Sequence, residues 1–321
     1  MKISVIDKNG SGIMSQFAAA IGASIEARFF KIPSDKGGGY ITGFSWGDEI
    51  KMMIRNYYLN EEILLDRTNE LVEGQDNIFF ILSGIFPSVL SSEKQLAAEQ
   101  PNVLICRQEV SSVLTMPSNT YFRSITIGAS RKYLSGVFGN LSHPVLTAIL
   151  QSPDQFAFET SISAEMIRTA SEMLNEPIPE SMESHYYRLK CEELLCYVIA
   201  LLMQRDTAHI SGVHLKDIKA IYSVKSVLQS NLHSAPDIVL LAKNAGLSEA
   251  KMRKLFRQTF GKGLFEYFQF MRMNEAARLL KGSKATVAEV GYQLGFTNMS
   301  HFSRIFAQHI GTKPKKYAAT G

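Results

Sequence analysis

The chain has 321 residues, 45% of them hydrophobic and 20% charged, with a formal net charge of +4. That length and apolar content suffice for two buried cores and exclude a disordered polymer. No apolar run approaches the roughly 20 residues of a membrane-spanning helix. The stretch 17–25 is broken by Gly22 and Ser24, so neither a membrane partner nor secretion is expected.

In chain order, short β-rich runs come first and predict strands at 40–44, 51–59, 77–82, 102–107 and 121–127. Two stretches between them, Lys36-Gly37-Gly38-Gly39 and Glu73-Gly74-Gln75-Asp76-Asn77, read as turns. The pattern predicts a small antiparallel β-barrel or sandwich, cupin-like in outline. Were a small-molecule effector to bind inside it, alternate strand residues would line the pocket. The candidates are Trp46, Tyr57, Tyr58, Phe79 and Phe80, each of which suits a plain core equally well.

Chemical machinery is not evident in this part. There is no Gly-x-Gly-x-x-Gly, Walker-type loop or Gly-x-Ser-x-Gly elbow, and Gly37-Gly38-Gly39 lacks the Lys-Ser/Thr that a phosphate loop needs. His143, His185 and His209 are isolated and lie outside the predicted strands, which argues against a metal site. Cys191 and Cys196 are five apart on a predicted helix and point in different directions, so a local disulfide is not expected. With Cys106 they read as small core hydrophobes in a reducing cytoplasm. No cofactor, no metal and no enzymatic activity are expected.

Two predicted helices follow, one near 164–174 with apolar Met166, Ala170, Met173 and Leu174, the other over about 185–204. The second is apolar nearly all round from Leu194 to Met203 and must be covered on more than one side, by the barrel or by a second copy of the chain. Residues 205–214 are polar and read as a linker. The organisation expected is a regulatory domain over 1–204 and a separate all-α domain over 215–321, an α+β multidomain chain.

Charge divides the chain at the same place. From His214 onward there are 17 Lys and Arg against 6 Asp and Glu, a formal +11, so the first 213 residues carry −7. A cationic segment of this kind is what counterion release on a phosphate backbone requires.

Within that basic segment a pattern occurs twice, forty-nine positions apart: Ile238-Val-Leu-Leu-Ala242-Lys-Asn-Ala-Gly246-Leu-Ser248 and Val287-Ala-Glu-Val-Gly291-Tyr-Gln-Leu-Gly295-Phe-Thr297. In each, an apolar helix face stops at a glycine, which tolerates a left-handed turn, and a second helix restarts from a hydroxyl N-cap, Ser248 or Thr297. Ala242 and Gly291 sit where two steeply crossed helices approach. Apolar residues then recur at helical spacing, Met252, Leu255 and Phe256 in one copy, Phe302, Ile305 and Phe306 in the other. Asp237 is placed to cap the first unit, and Thr286 with Glu289 forms a capping box for the second. A helix over 264–281 joins the two helix-turn-helix candidates.

The segment 215–317 resembles the DNA-binding domain of the AraC/XylS family of bacterial transcription regulators. The resemblance rests on Leu241-Ala242, Gly246-Leu247-Ser248, Met252, Leu255-Phe256, Gly261, Tyr267, Arg272, Ala276 and Leu279-Leu280, then Val290, Gly295-Phe296, Ser300, Phe302-Ser303-Arg304, Phe306, Gly311, Pro314 and Tyr317. Departures are Gly291 and Ala307, where the family usually has alanine and lysine, and Ala318, where arginine is common. The loss of the last two cations bears on affinity more than on fold.

The resemblance implies seven helices in two units, with two recognition helices entering successive major grooves about 34 Å apart. By match to the family's base-facing positions, the readers are Ala250, Arg253 and Lys254 in the first unit and Met299, Ser300, His301, Ser303 and Arg304 in the second. Arg253 is chemically the best reader, since a guanidinium bridges guanine O6 and N7; its alternative role is a phosphate clamp. Lys251, Arg257, Lys262, Lys313, Lys315 and Lys316 are candidate phosphate contacts. The β-plus-helices layout of 1–204 resembles the family's regulatory domains, which implies a small-molecule effector and a possible homodimer; RNA polymerase is a further partner implied by the family.

The expected function is therefore a sequence-specific, ligand-responsive transcription regulator in the cytoplasm. Two other classes compete: a DNA-binding regulator whose amino-terminal domain answers to a protein partner, and an enzyme with a DNA-binding tail. The last would need an activated nucleophile, and Cys106 beside Arg107 in an apolar strand is a poor one.

Overall fold

A computed structural model describes residues 1–8, 12–26, 28–70, 76–86, 97–99, 101–107, 113–151, 156–205, 214–282 and 285–319. The chain divides into two compact units, Met1–Leu215 and Lys216–Gly321. Residues 206–213, which hold most of the expected linker, lie outside the described residues. Among the described residues no helix is long and apolar enough to cross a membrane.

The first unit contains strands β1 (Lys2–Lys8), β2 (Phe29–Lys31), β3 (Gly37–Trp46), β4 (Ile50–Leu59), β5 (Ile63–Glu70), β6 (Asn77–Ser83), β7 (Ala97–Ala98), β8 (Asn102–Arg107), β9 (Val113–Met116), β10 (Thr120–Ser130) and β11 (Ala157–Thr160). The larger sheet runs β11-β8-β6-β10-β4-β3-β2 with β7 beside β10, and the smaller runs β1-β5-β9. All five predicted strands are present. Of the two expected architectures, barrel or sandwich, a closed barrel is not formed: both strand paths are open among the described residues. Nor is the pairing wholly antiparallel, because β1 and β5 run parallel, Lys2 opposite Leu64 through Lys8 opposite Glu70. A tight hairpin cannot join parallel strands, and here the chain passes through a helix and three strands before β5 returns.

Among the described residues five helices accompany the sheets: α1 (Ile13–Ala20), α2 (Arg131–Phe138), α3 (Pro144–Gln151), α4 (Ala164–Asn175) and α5 (Glu180–Met203). The predicted pair corresponds to α4 and α5. The other three are eight residues each, too short for a 3.6-residue period to stand out.

Strand alternation sorts the side chains into two cores. Ile50, Met52 and Ile54 of β4, Ile78, Phe80 and Leu82 of β6, and Ile125 and Ile127 of β10 pack under α2 to α5. On the opposite face Ile41, Tyr57, Leu59 and Phe122 meet Ile3 and Val5 of β1, Ile63 and Leu65 of β5, and Phe17 of α1. The unit is thus layered: helices, larger sheet, smaller sheet with α1. Helix α5 buries Cys191, Leu194, Leu195, Val198, Ile199 and Leu202, as its apolar circumference requires. Cys196, expected in the core, is exposed instead, because five residues along a helix turn it away from the face that carries Cys191.

The triple glycine is not a turn. The turn precedes it, with Lys36 N–H and Gly37 N–H donating to the Pro33 carbonyl at 2.9 and 3.0 Å, and Gly37 to Gly39 open strand β3. A β-carbon at Gly37 or Gly39 would collide with the carbonyl oxygen of Tyr58 or Asn56 on β4, and Gly39 has φ +99°. Glycine is required there for close strand approach. Most of the other expected turn, 73–77, lies outside the described residues.

The second unit is helical: α6 (Leu215–Ser230), α7 (Ile238–Asn244), α8 (Glu249–Phe260), α9 (Leu264–Gly282), α10 (Val287–Gln293), α11 (Met299–Ile310) and α12 (Pro314–Ala319). Among the described residues these are the seven helices that the resemblance implied. α9 packs Met273, Ala276, Ala277 and Leu280 against Val290 of α10, Leu294 just past its end, and Phe302 and Phe306 of α11. In the first half, Phe256 and Phe260 of α8 meet Tyr267 of α9 with ring centroids 5.3 and 5.1 Å apart.

Candidate nucleic-acid interface

The sequence pattern that occurs twice closes into the same hydrogen-bonded turn twice. At the end of α7, Leu247 N–H donates to the Ala242 carbonyl at 3.0 Å and Gly246 N–H to the Lys243 carbonyl at 3.1 Å. At the end of α10, Phe296 N–H donates to the Gly291 carbonyl and Gly295 N–H to the Tyr292 carbonyl, both at 2.9 Å. Each is a Schellman motif, which satisfies the last carbonyls of the helix and needs a left-handed residue at its hinge. Gly246 and Gly295 supply it, with φ +66° and +76°.

Helix starts are capped as firmly. The Asp237 carboxylate accepts from Leu240 N–H at 3.0 Å and opens α7. The Thr286–Glu289 capping box opens α10, with Thr286 N–H donating to Glu289 Oε2 at 2.6 Å and Glu289 N–H to Thr286 Oγ1 at 3.2 Å. The Thr286 N–H bond foremost, together with one from the Thr286 hydroxyl to Glu289 Oε2 at 2.8 Å, holds the Glu289 carboxyl below the usual carboxylate range. Ser248 Oγ accepts from Lys251 N–H at 3.3 Å and starts α8. For α11 the cap is Asn298, whose Oδ1 accepts from His301 N–H at 3.0 Å, and not Thr297. The second turn is one residue longer than the first, and asparagine is as strong an N-cap as serine.

With both second helices anchored by buried Met252, Leu255, Phe256, Phe302 and Phe306, their other faces are fixed by helical period. Ala250, Lys251, Arg253, Lys254 and Arg257 are all exposed along α8, and Ser300, His301 and Arg304 along α11. Met299 and Ser303 are partly buried. Met299 packs against the α9–α11 core, its sulfur filling the space that a β-carbon on Gly291 would take. Lys313, Lys315 and Lys316 are exposed at the start of α12.

Several of these cations already have partners. Lys251 Nζ is 2.9 Å from a carboxylate oxygen of Asp217 on α6, Lys262 Nζ is 3.5 Å from Glu266, and Arg253 stands 3.9 Å from Glu249 one turn back. Asp217 was not singled out from the sequence, and Arg272 entered there as a point of resemblance with no role attached. Arg272, half-buried in α9, lays its guanidinium over the Phe296 ring at 3.8 Å and donates to the Leu294 carbonyl. Burial lowers its pKa from the usual arginine value.

In the first unit, the five pocket candidates do not converge. Tyr57 lies in the core between the two sheets, whereas Phe80 lies in the core under the helices. Phe79 and Tyr58 take the face opposite their neighbours by strand alternation. Trp46 stacks on Phe44 at 5.8 Å and donates from Nε1 to the Ser184 carbonyl at 3.1 Å, tying β3 to α5.

Comparison with known proteins places relatives on both halves of the chain. A family model described as a helix-turn-helix domain matches residues 241–320, and one described as the N-terminal domain of the regulatory protein PchR matches 59–213. The HTH-type transcriptional activator RhaR of Yersinia pseudotuberculosis is 24% identical over 166 residues, 51% of this chain and 57% of that protein. The Msm operon regulatory protein of Streptococcus mutans is 26% identical over 125 residues, 39% of this chain and 45% of that protein. The chain thus spans about half the length of these curated relatives. A solved transcriptional regulator with an AraC-type DNA-binding domain, from Chromobacterium violaceum, is 23% identical, covers 33% of this chain and 95% of its own, and superposes with a TM-score of 0.31.

Proposed function

We infer that this chain, which belongs to the AraC/XylS family of transcription regulators, recognises specific double-stranded DNA through α8 and α11 and is controlled by a small molecule bound in its first unit. The observation that carries the DNA reading is the repeated Schellman turn: two second helices, each capped, each anchored by buried aromatics and each exposing an arginine. Phosphate contacts from the surrounding lysines supply sequence-independent affinity, while Arg253 and Arg304 carry the chemistry for reading guanine edges. One protomer with two readers can recognise an asymmetric site without a two-fold partner.

Support for control by an effector comes from the match of 59–213 to a regulatory N-terminal domain. An effector shifts the balance between DNA-competent and incompetent states only as far as it binds them differently. RNA polymerase and a second copy of the chain are the partners proposed at the promoter.

Selection of bound sequences from random DNA by the full chain at physiological salt tests the reading. The expected product is an asymmetric site with two read blocks one helical turn apart. No consensus, with binding that vanishes as salt rises, would reduce the second unit to a phosphate-binding surface.

A further inference from the structure

On the face of the larger sheet that turns toward the smaller one, polar groups gather without adequate partners. Arg55 and Ser124 are directly opposite on β4 and β10, flanked by the pairs Met53–Thr126 and Tyr57–Phe122. Arg55 is 8% exposed, and Ser124 and Tyr57 are wholly buried. Arg55 makes one long hydrogen bond, to Thr126 Oγ1 at 3.4 Å, and its Nε has no partner. Ser124 Oγ has none either. Among the described residues the Tyr57 hydroxyl finds only the Met116 sulfur, at 3.3 Å, which is a weak acceptor.

Among the described residues no carboxylate is in ion-pair contact with Arg55. Glu99, the acid whose field reaches Tyr57, is occupied: its Oε2 accepts from the backbone N–H groups of Gly84 and Arg123 at 3.2 and 3.1 Å. Three donors, one of them a cation, therefore share a buried face on which, among the described residues, no carboxylate pairs with the cation. Burying a guanidinium unpaired is unfavourable, and natural cores avoid it.

We propose that Arg55, Tyr57, Ser124 and Thr126 form the binding site for a small organic carboxylate. The guanidinium fork matches a carboxylate's two oxygens, and Ser124 Oγ and Tyr57 OH stand ready as additional donors. One cation among neutral hydroxyls balances a single negative charge; a phosphate dianion would remain half compensated. Ile41, opposite Arg55 on β3, with Met53 and Phe122 takes an apolar or aromatic body. The proposal deepens the effector reading above and rests on it for its regulatory meaning.

Thermal melting of the full chain, native and Arg55→Met, tests the site with phenylacetate, its neutral isostere phenylacetamide, and inorganic phosphate as probes at constant ionic strength. Phenylacetate is expected to raise the native melting temperature by a few degrees, with phenylacetamide and phosphate without effect. Arg55→Met is expected to melt above the native chain when unliganded, since an unpaired buried charge is gone, and to lose the response to phenylacetate. Equal responses of the two chains, including none in either, overturn the site. A response to phosphate alone overturns its ligand class. If Arg55→Met does not fold, Ser124→Ala carries the test: phenylacetate binding several-fold weaker supports the site, and unchanged binding overturns it. DNA affinity measured with and without phenylacetate separates the two readings, because binding at Arg55 with unaltered DNA affinity upholds the site and removes the effector role.

Discussion

Gly295 packs so tightly on His233 that a β-carbon at position 295 would collide with the His233 carbonyl oxygen. The glycine at the equivalent turn, Gly246, has nothing within 4 Å of where its β-carbon would stand. Both have positive φ, so alanine at either is strained by about 1–2 kcal/mol. At Gly295 it must also displace backbone, which is expected to bring the total to about 3–5 kcal/mol. Urea unfolding of the full chain with Gly246→Ala and Gly295→Ala measures the difference, and equal losses would refute the steric account.

Arg272 holds that same turn from the other side, through Phe296 and the Leu294 carbonyl. Its role requires a flat cation that stacks and donates in its own plane, which lysine cannot do. Arg272→Ala is expected to cost about 1–3 kcal/mol of stability, and Arg272→Lys to recover little of it. Full recovery by lysine would mean that charge alone matters there.

Legibility differed between the two units for physical reasons. In the second, glycine hinges, N-caps and apolar period are all local signals, so helix bounds and the buried and exposed faces could be derived from residues such as Gly246, Ser248 and Phe256. The misplaced cap, Asn298 for Thr297, is a one-residue error in a turn of unstated length. In the first unit the strands were legible, but β1 beside β5 joins residues some sixty positions apart, and strand pairing at such range leaves no local mark. The triple glycine misled because close strand approach and tight turns ask for the same residue. The polar cluster at Arg55 and Ser124 was invisible for a related reason: only the register of β4 against β10 brings them together.

Glu289 offers a pH-dependent test. Its carboxyl is held below the usual range by the Thr286 bonds, so it contributes stability at neutral pH. That contribution is complete above the unfolded-state value of about 4.3 and is lost as pH falls through the lower folded-state value. The native chain should be more stable than Glu289→Gln at pH 7, and the gap should close under acid. Chemical denaturation of both chains across that range checks it; a gap that widens toward low pH would contradict the sign.

Asp217 holds Lys251 at 2.9 Å from a largely buried position on α6. An ammonium so engaged is a weaker phosphate contact than its exposure implies. Asp217→Asn should release it, tighten binding to all DNA alike, and steepen the dependence of log affinity on log salt by about one unit. Fluorescence anisotropy on specific and unrelated duplexes over a salt series reads both effects. An unchanged slope would show that Lys251 stays away from phosphate in either form.

Arg253 is held by a weaker interaction. Its 3.9 Å approach to Glu249 is an exposed pair one helical turn apart, worth about 0.3–0.5 kcal/mol. A bidentate contact to guanine discriminates by about 1–3 kcal/mol, so the base contact wins and the arginine should leave Glu249 on binding. Arg253→Ala and Arg304→Ala are each expected to cost about 1–3 kcal/mol on the preferred site and to relax preference at one block only. Lys315→Ala, at an exposed position in the first turn of α12, should weaken every sequence equally. Affinities measured on the selected site and on variants of each block distinguish the cases. Uniform losses from the two arginine variants would reassign both as phosphate contacts and leave reading to the other exposed residues of α8 and α11.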